Sequence, residues 1–231
     1  MRPLRNVKDS GKIIQAEAPK EAARVETLTI TPPNFQTIKL SVIGTAPLLQ
    51  LRFSAKAELL ARHQEGGAAR SKRMRVAKDV QELFRKALHQ SEDGWYGIPC
   101  AAFRNASISA CRVVGYKMTL AKMAIFVESD GYEKEDGTPL VRITKGEPIV
   151  HTGHVRNATG VVDIRVRAMF KEWECMPRVR FDADMFKVAD IVNLLYRAGQ
   201  QVGVGEGRPD SRESAGMGMG LFKVGLGEVM K

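Results

Sequence analysis

Six glycines fall within residues 203–220: Gly203, Gly205, Gly207, Gly216, Gly218 and Gly220. They follow the clearest helical pattern in the chain. Within 182–199, Val188, Ile191, Val192, Leu195 and Ala198 recur at the i, i+3, i+4, i+7 spacing of a helix with one buried face. Asp182 or Asp184 stands where an N-cap belongs, and Gly199 where a C-cap belongs. After the glycines, "MGLFKV" (219–224) reads as a final strand. This order excludes the two familiar nucleotide loops. A P-loop needs G-x-x-x-x-G-K-[ST] between a strand and a helix, and no such string occurs. A dinucleotide fingerprint needs G-x-G-x-x-G opening a helix. Gly203 and Gly205 begin one, but position 208 is arginine and the stretch leads out of a helix.

What remains is a glycine-rich connection from a helix to a strand, carrying Arg208, Ser211, Arg212 and Ser214. Glycine lets backbone N–H groups approach an anion without interference from a Cβ. Arginine adds charge and a planar fork of donors. Phosphate is the ligand class that needs both. The composition agrees: the formal net charge is +10 over 231 residues. Such a surplus suits a polyanion, either nucleic acid or an anionic membrane surface. The N-terminal "MRPLRNVKDSGK" has no apolar core of a signal peptide, and no run of eighteen apolar residues occurs. Nucleic acid is therefore the expected partner, with no membrane and a cytoplasmic location. The three cysteines, Cys100, Cys111 and Cys175, have no C-x-x-C spacing, which points to reduced thiols and no structural zinc. No cofactor is expected.

Residues 1–34 mix charged residues with alanine and proline and offer little to bury. They read as a flexible or neighbour-docking tail ahead of one domain over 35–231. "FQTIKLSVIG" (35–44) alternates, with Ile38, Leu40 and Val42 on the buried face of a strand. Residues 52–90 look helical and hold ten Lys or Arg against four acids, with a break at 65–67. Arg70, Lys72, Arg73 and Arg75 form the densest cluster. A solvated helix usually interleaves both signs, so this imbalance marks a binding face.

A helix is expected over 101–113, with Phe103, Ala106, Ala110 and Val113 facing the core, and a strand over 122–129. Asp136-Gly137 signals a hairpin turn. "VVDIRVRAMF" (161–170) alternates, placing Val162, Ile164 and Val166 opposite Asp163, Arg165 and Arg167. "PRVRFD" (177–182) places Arg178 and Arg180 opposite Val179 and Phe181. The two arginine-bearing strands are expected to offer a phosphate-tracking surface, with an ordinary solvent-facing sheet as the alternative.

Three stretches together resemble the RAMP superfamily of CRISPR systems. "GVGEG" and "SAGMGMGLFKV" look like its glycine-rich loop, and "IKLSVIGTAPLL" (38–49) resembles its first strand. "GIPCAAFRNASISACR" (97–112), with Arg104 inside it, is similar to the entry into its first helix. The resemblance implies an α+β fold: a ferredoxin-like (RRM-type) β-α-β-β-α-β core. A basic helical insertion would lie near 50–93 and a thumb-like β-hairpin insertion near 129–160. It also implies RNA binding, with the glycine loop near the strand's backbone. The nearest likeness is to the subunit that coats guide RNA as a homo-oligomer, although this chain is shorter than most such subunits. A stand-alone phage or plasmid relative acting on single-stranded DNA or RNA stays open, as does a protein mimic of a CRISPR subunit.

The nucleic-acid-binding residues expected from these arguments are Arg70, Lys72, Arg73, Arg75, Arg104, Arg165, Arg167, Arg178, Arg180, Gly203, Gly205, Gly207, Arg208, Arg212, Gly216, Gly218 and Gly220. No catalytic or metal site is expected. The competing expectation is an RNA endonuclease using histidine. His63 and His89 read as members of a solvated helix face, and His151 and His154 lie three apart in a loop or strand. Glu133, Glu135 and Asp136 read as solvent-exposed residues beside a turn.

Overall fold

The computed structural model describes residues 30–52, 79–156, 162–211 and 216–230. Arg70, Lys72, Arg73, Arg75, His63 and Arg212 lie outside the described residues, as does nearly all of the expected tail. In chain order the elements are β1 (Phe35–Gly44), β2 (Leu48–Gln50), α1 (Val80–Ala87), β3 (Gly97–Pro99), α2 (Cys100–Ala110), α3 (Met118–Ala124), β4 (Ile125–Glu128) and β5 (Gly131–Tyr132). There follow β6 (Pro139–Lys145), β7 (Pro148–Arg156), β8 (Val162–Phe170), β9 (Glu174–Cys175), β10 (Arg178–Asp182), α4 (Val188–Arg197), a π-helical turn (Ala198–Val202) and β11 (Phe222–Met230).

The fold is mixed α and β around one large antiparallel sheet. β1 lies at its centre. One edge of β1 pairs with β11; the other pairs with β10 and, further along, with β9. β10 pairs with β4, so the strands run β11-β1-β10-β4 with every neighbour antiparallel. β9 continues through β6 to β3. A second sheet holds β2, β8 and β7 in that order, and β7 and β8 form a long hairpin.

β1 matches its sequence pattern residue for residue. Ile38, Leu40 and Val42 are buried and share one core with Phe103 of α2, Ile191 and Leu195 of α4, and Phe222. The rings of Phe103 and Phe222 pack edge to face at 5.7 Å. Burying each such side chain contributes about 1.5–3 kcal/mol. The helices thus cover one face of the large sheet, and Arg178 and Arg180 stand on the other, opposite the buried Val179 and Phe181. Among the described residues no helix is long and apolar enough to cross a membrane.

Several local expectations are corrected. The basic segment's helix ends at Ala87 rather than 90, where Leu88 turns into extended backbone. α2 ends at Ala110, and Val113 is 53% exposed in the turns beyond it. Residues 118–124 are helical, so the expected strand begins only at Ile125. α4 starts at Val188, where the Asp190 carboxylate accepts from the Lys187 N–H; Asp182 instead accepts from the N–H of Asp184. Gly199 lies inside the π-helical turn, where a Cβ would stand 2.3 Å from the Phe222 carbonyl oxygen. The cap is Gly203, with φ of +75°. Asp136-Gly137 does turn the chain between β5 and β6, with Gly137 at φ of +70°. The hairpin closed by β8 runs on to Phe170, past the expected insertion limit of 160.

Candidate nucleic-acid interface

The glycine loop leaves the π-helical turn and folds back on itself. The Val204 N–H donates to Gly220 O at 3.0 Å, and the N–H groups of Met217 and Met219 both donate to Gly207 O, at 2.8 and 3.1 Å. These bonds join the two glycine clusters. Glu206 N–H donates to Leu49 O at 2.9 Å and Gly220 N–H to Pro47 O at 2.8 Å, which fastens the loop to β2. Arg112 Nη2, at the end of α2, donates to both carboxylate oxygens of Asp210 at 2.7 Å and holds the loop against the helix.

All six glycines have positive φ. The partner that requires a bare backbone is in large part the loop itself. A Cβ on Gly220 would stand 1.8 Å from Val204 O, and one on Gly216 would stand 2.1 Å from Arg208 O. Gly218 is different: nothing lies within 4 Å of its Cβ position. It is the glycine of this loop whose missing side chain leaves open space.

Arg208 is exposed, its Nη1 donating to Gly205 O at 3.0 Å. It borders two clefts. One, of 180 Å³, is lined by Gln50, His89, Pro99, Ala102 and Glu206. The other, of 130 Å³, is lined by Asn105, Ser109, Gly203 and Asp210. The loop also extends the second sheet, because Glu206 bridges to Leu49 of β2. Leu49 pairs with Met169 of β8, and Arg167 and Arg165 stand two and four residues before Met169, so they share the sheet face that Glu206 of the loop takes. The loop and the β8 arginines thus belong to one sheet, but Arg167 is 6% exposed rather than on the expected solvent-facing surface, and Gly205 faces Leu48, on the opposite side from Leu49.

The other expected residues lie elsewhere. The two arginine-bearing strands belong to different sheets and do not form one tracking surface. Arg180 stands 4.9 Å from the Phe35 ring centroid and 5.1 Å from that of Phe126. Arg178 donates to Ser129 O and pairs with Asp130 at 3.4 Å. Lys39 lies opposite Arg178 in the register, on the same open face. Arg104 donates to the carbonyls of Lys122 and Ile125 and stacks on Phe126, so it ties α2 to the start of β4.

Two further expectations are overturned by burial. Glu133 is 1% exposed rather than solvated, and it accepts from Arg52 Nη1 at 3.0 and 3.2 Å. Glu135 closes on the same guanidinium from the surface. His89 lies beyond the end of α1, largely buried rather than on a solvated face. Burial, opposed in part by Asp136 and reinforced by Arg52, lowers its pKa to about 4.

An unfolded histidine titrates near about 6.5, so the folded form of His89 binds its proton less readily. Its stabilising contribution is complete above pH 6.5 and is lost as pH falls toward 4. The full difference is about 3 kcal/mol. Denaturant unfolding at pH 7.0 and 4.5 measures it. In His89→Gln the gap between the two stabilities should shrink by about 2 kcal/mol. An unchanged gap would mean that His89 titrates normally.

Among the described residues no three His, Cys, Asp or Glu side chains cluster as metal ligands would. Comparison with protein-family models and with curated proteins finds no match to this chain. Sequence reasoning missed Glu206, Arg112, Asp210 and Lys39 as parts of these surfaces. Arg112 alone had a signal, as the arginine closing the α2 stretch; the others gain meaning only from their neighbours in space.

Proposed function

We propose that this chain is a RAMP-type protein that binds single-stranded RNA or DNA through its phosphate backbone, coats the strand as a homo-oligomer and does not cleave it. The observation that carries the reading is that the glycine loop, with the exposed Arg208, extends the sheet whose strand β8 bears Arg165 and Arg167, in a chain with net charge +10. The ferredoxin-like part of the reading rests on strand order. β11-β1-β10-β4 is the fourth, first, third and second strand of a β-α-β-β-α-β series when α2 and α4 are its two helices. Elements between β1 and α2, and the β5 to β9 region, then stand as insertions. The reading places the protein in the cytoplasm.

The experiment is a titration of labelled single-stranded oligomers, RNA and DNA in parallel, across a salt series. Each phosphate contact contributes about −0.7 to the slope of log affinity against log salt on single strands. Arg208→Ala should weaken binding about tenfold and flatten the slope by about 0.7. Neutralising Arg70, Lys72, Arg73 and Arg75 together should flatten it by up to about 2.8. Unchanged affinity and slope in both variants would remove the loop and the basic cluster from the interface. Regular multimers on a long strand by electron microscopy support coating, and widely spaced monomers count against it.

A second reading, metal-independent RNA cleavage, is favoured by one observation: His89 shares its cleft with Glu206 and Arg208. Cleavage of labelled RNA in the presence of EDTA would select it over the first.

A further inference from the structure

Arg167 is 6% exposed, and its Nε has no hydrogen-bond partner. A buried guanidinium without a partner is costly, because desolvation is not offset by an opposing charge. The carboxylate that acts on it is that of Glu206 in the glycine loop, while Arg165 on the same strand opposes it. His151 of β7 sits directly opposite Arg167 in the register, and its Nδ1 is also buried and unpartnered. Two side chains with buried nitrogens that lack hydrogen-bond partners therefore face one another across the hairpin. Beside them, Gly153 carries no side chain. A Cβ there would stand 3.0 Å from Arg167 Nη1 and 3.3 Å from His151 Cε1.

We propose that Arg167 and His151, reached past Gly153, form a binding site for one phosphate-type oxyanion, supplied by a phosphodiester of the bound strand. The identity of the donor rests on the nucleic-acid reading above; the oxyanion site itself rests on the two unpartnered nitrogens. The anion accepts from the Arg167 Nε–H and from the His151 ring in its protonated form, giving each buried nitrogen a partner. Its charge offsets that of Arg167, which Glu206 opposes only from a distance. Burial, followed by the charge of Arg167, lowers the pKa of His151 in the free protein. A bound anion works against both and favours the imidazolium. The charged groups acting on the pair are Arg165 and Arg167 from β8 and Glu206 from the loop.

The test follows the His151 imidazole by NMR in the whole protein, alone, with inorganic phosphate, and with a twelve-residue single-stranded oligomer. Bound anion should raise its titration midpoint by about one unit, and binding should tighten about tenfold as pH falls through that range. Arg167→Met should weaken oligomer binding about tenfold or more. It should also raise the melting temperature by a few degrees, about 4 °C, because an unpaired buried charge is replaced by an apolar side chain. A purely structural arginine would lower stability instead. Gly153→Ala, at ordinary φ, should weaken binding with little change in melting temperature. If phosphate moves His151 but no oligomer binds, the oxyanion site stands and the nucleic-acid reading fails. If the oligomer binds while His151 does not move and both variants bind like the parent, this site is wrong and the nucleic-acid reading survives.

Discussion

Glu133→Ala should destabilise the protein by about 3–5 kcal/mol, which for a domain of ordinary stability is enough to unfold much of the population. The substitution leaves the Arg52 guanidinium, 4% exposed, with Glu135 at the surface as its one remaining carboxylate beside the Lys86 carbonyl that accepts from Nε. It also removes the acceptor for the Asp136 N–H at the β5–β6 turn. Removing one member of a buried pair costs far more than removing both, because the remaining charge stays desolvated. The double change Arg52→Met with Glu133→Leu should therefore recover most of the loss. Denaturant unfolding of the parent, the single variant and the double variant measures all three. A single-variant loss below about 1 kcal/mol would show that Arg52 finds water or another partner. Since Arg52 follows β2 directly and its N–H donates to Ala87 O, the ion pair joins β2, the end of α1 and the β5–β6 turn around the cleft that holds His89 and Arg208.

Gly220→Ala and Gly218→Ala should separate folding from binding within one loop. Both positions have positive φ, at +68° and +71°, and an L side chain there costs about 1–2 kcal/mol. At Gly218 that is the whole cost, since the new methyl meets open space. At Gly220 the methyl would stand 1.8 Å from Val204 O, so the loop must open and lose the Val204–Gly220 and Gly220–Pro47 hydrogen bonds. Two such bonds add about 2 kcal/mol, for a total of about 3–4 kcal/mol. Melting curves should therefore show a large drop for Gly220→Ala and a small one for Gly218→Ala. Binding should show the reverse emphasis once stability is allowed for. On the proposed function, a methyl at Gly218 enters the open space where a strand's backbone approaches, and it should weaken oligomer binding with only the smaller loss of stability. Equal melting temperatures would contradict the loop geometry, and unaltered binding by Gly218→Ala would remove that glycine from the interface.

Elements whose signal is local are legible along the chain. The alternation of Ile38, Leu40 and Val42 specifies a strand with one buried face because side chains in a strand alternate with period two. The stripe from Val188 to Ala198 specifies α4 for the corresponding reason in a helix, and Asp136-Gly137 specifies a turn because glycine accepts the positive φ that it requires. The helix-to-strand order around the glycine loop excluded two nucleotide folds before any packing was considered. The tertiary structure alone decided which polar residues are buried and what each faces. Arg165 and Arg178 look alike in sequence, yet one shares a face with the glycine loop and the other pairs with Asp130 on the open side of the large sheet. Glu133 reads as a turn residue until Arg52, eighty-one positions away, is folded against it. The glycines of the loop read as a cradle for a ligand, but at Gly216 and Gly220 the backbone is bare because the loop's own carbonyls occupy the space. Local pattern reports the backbone conformation that a segment prefers. Burial, charge pairing and close approach depend on which distant segment arrives there, and one chain's local periodicity does not encode that meeting.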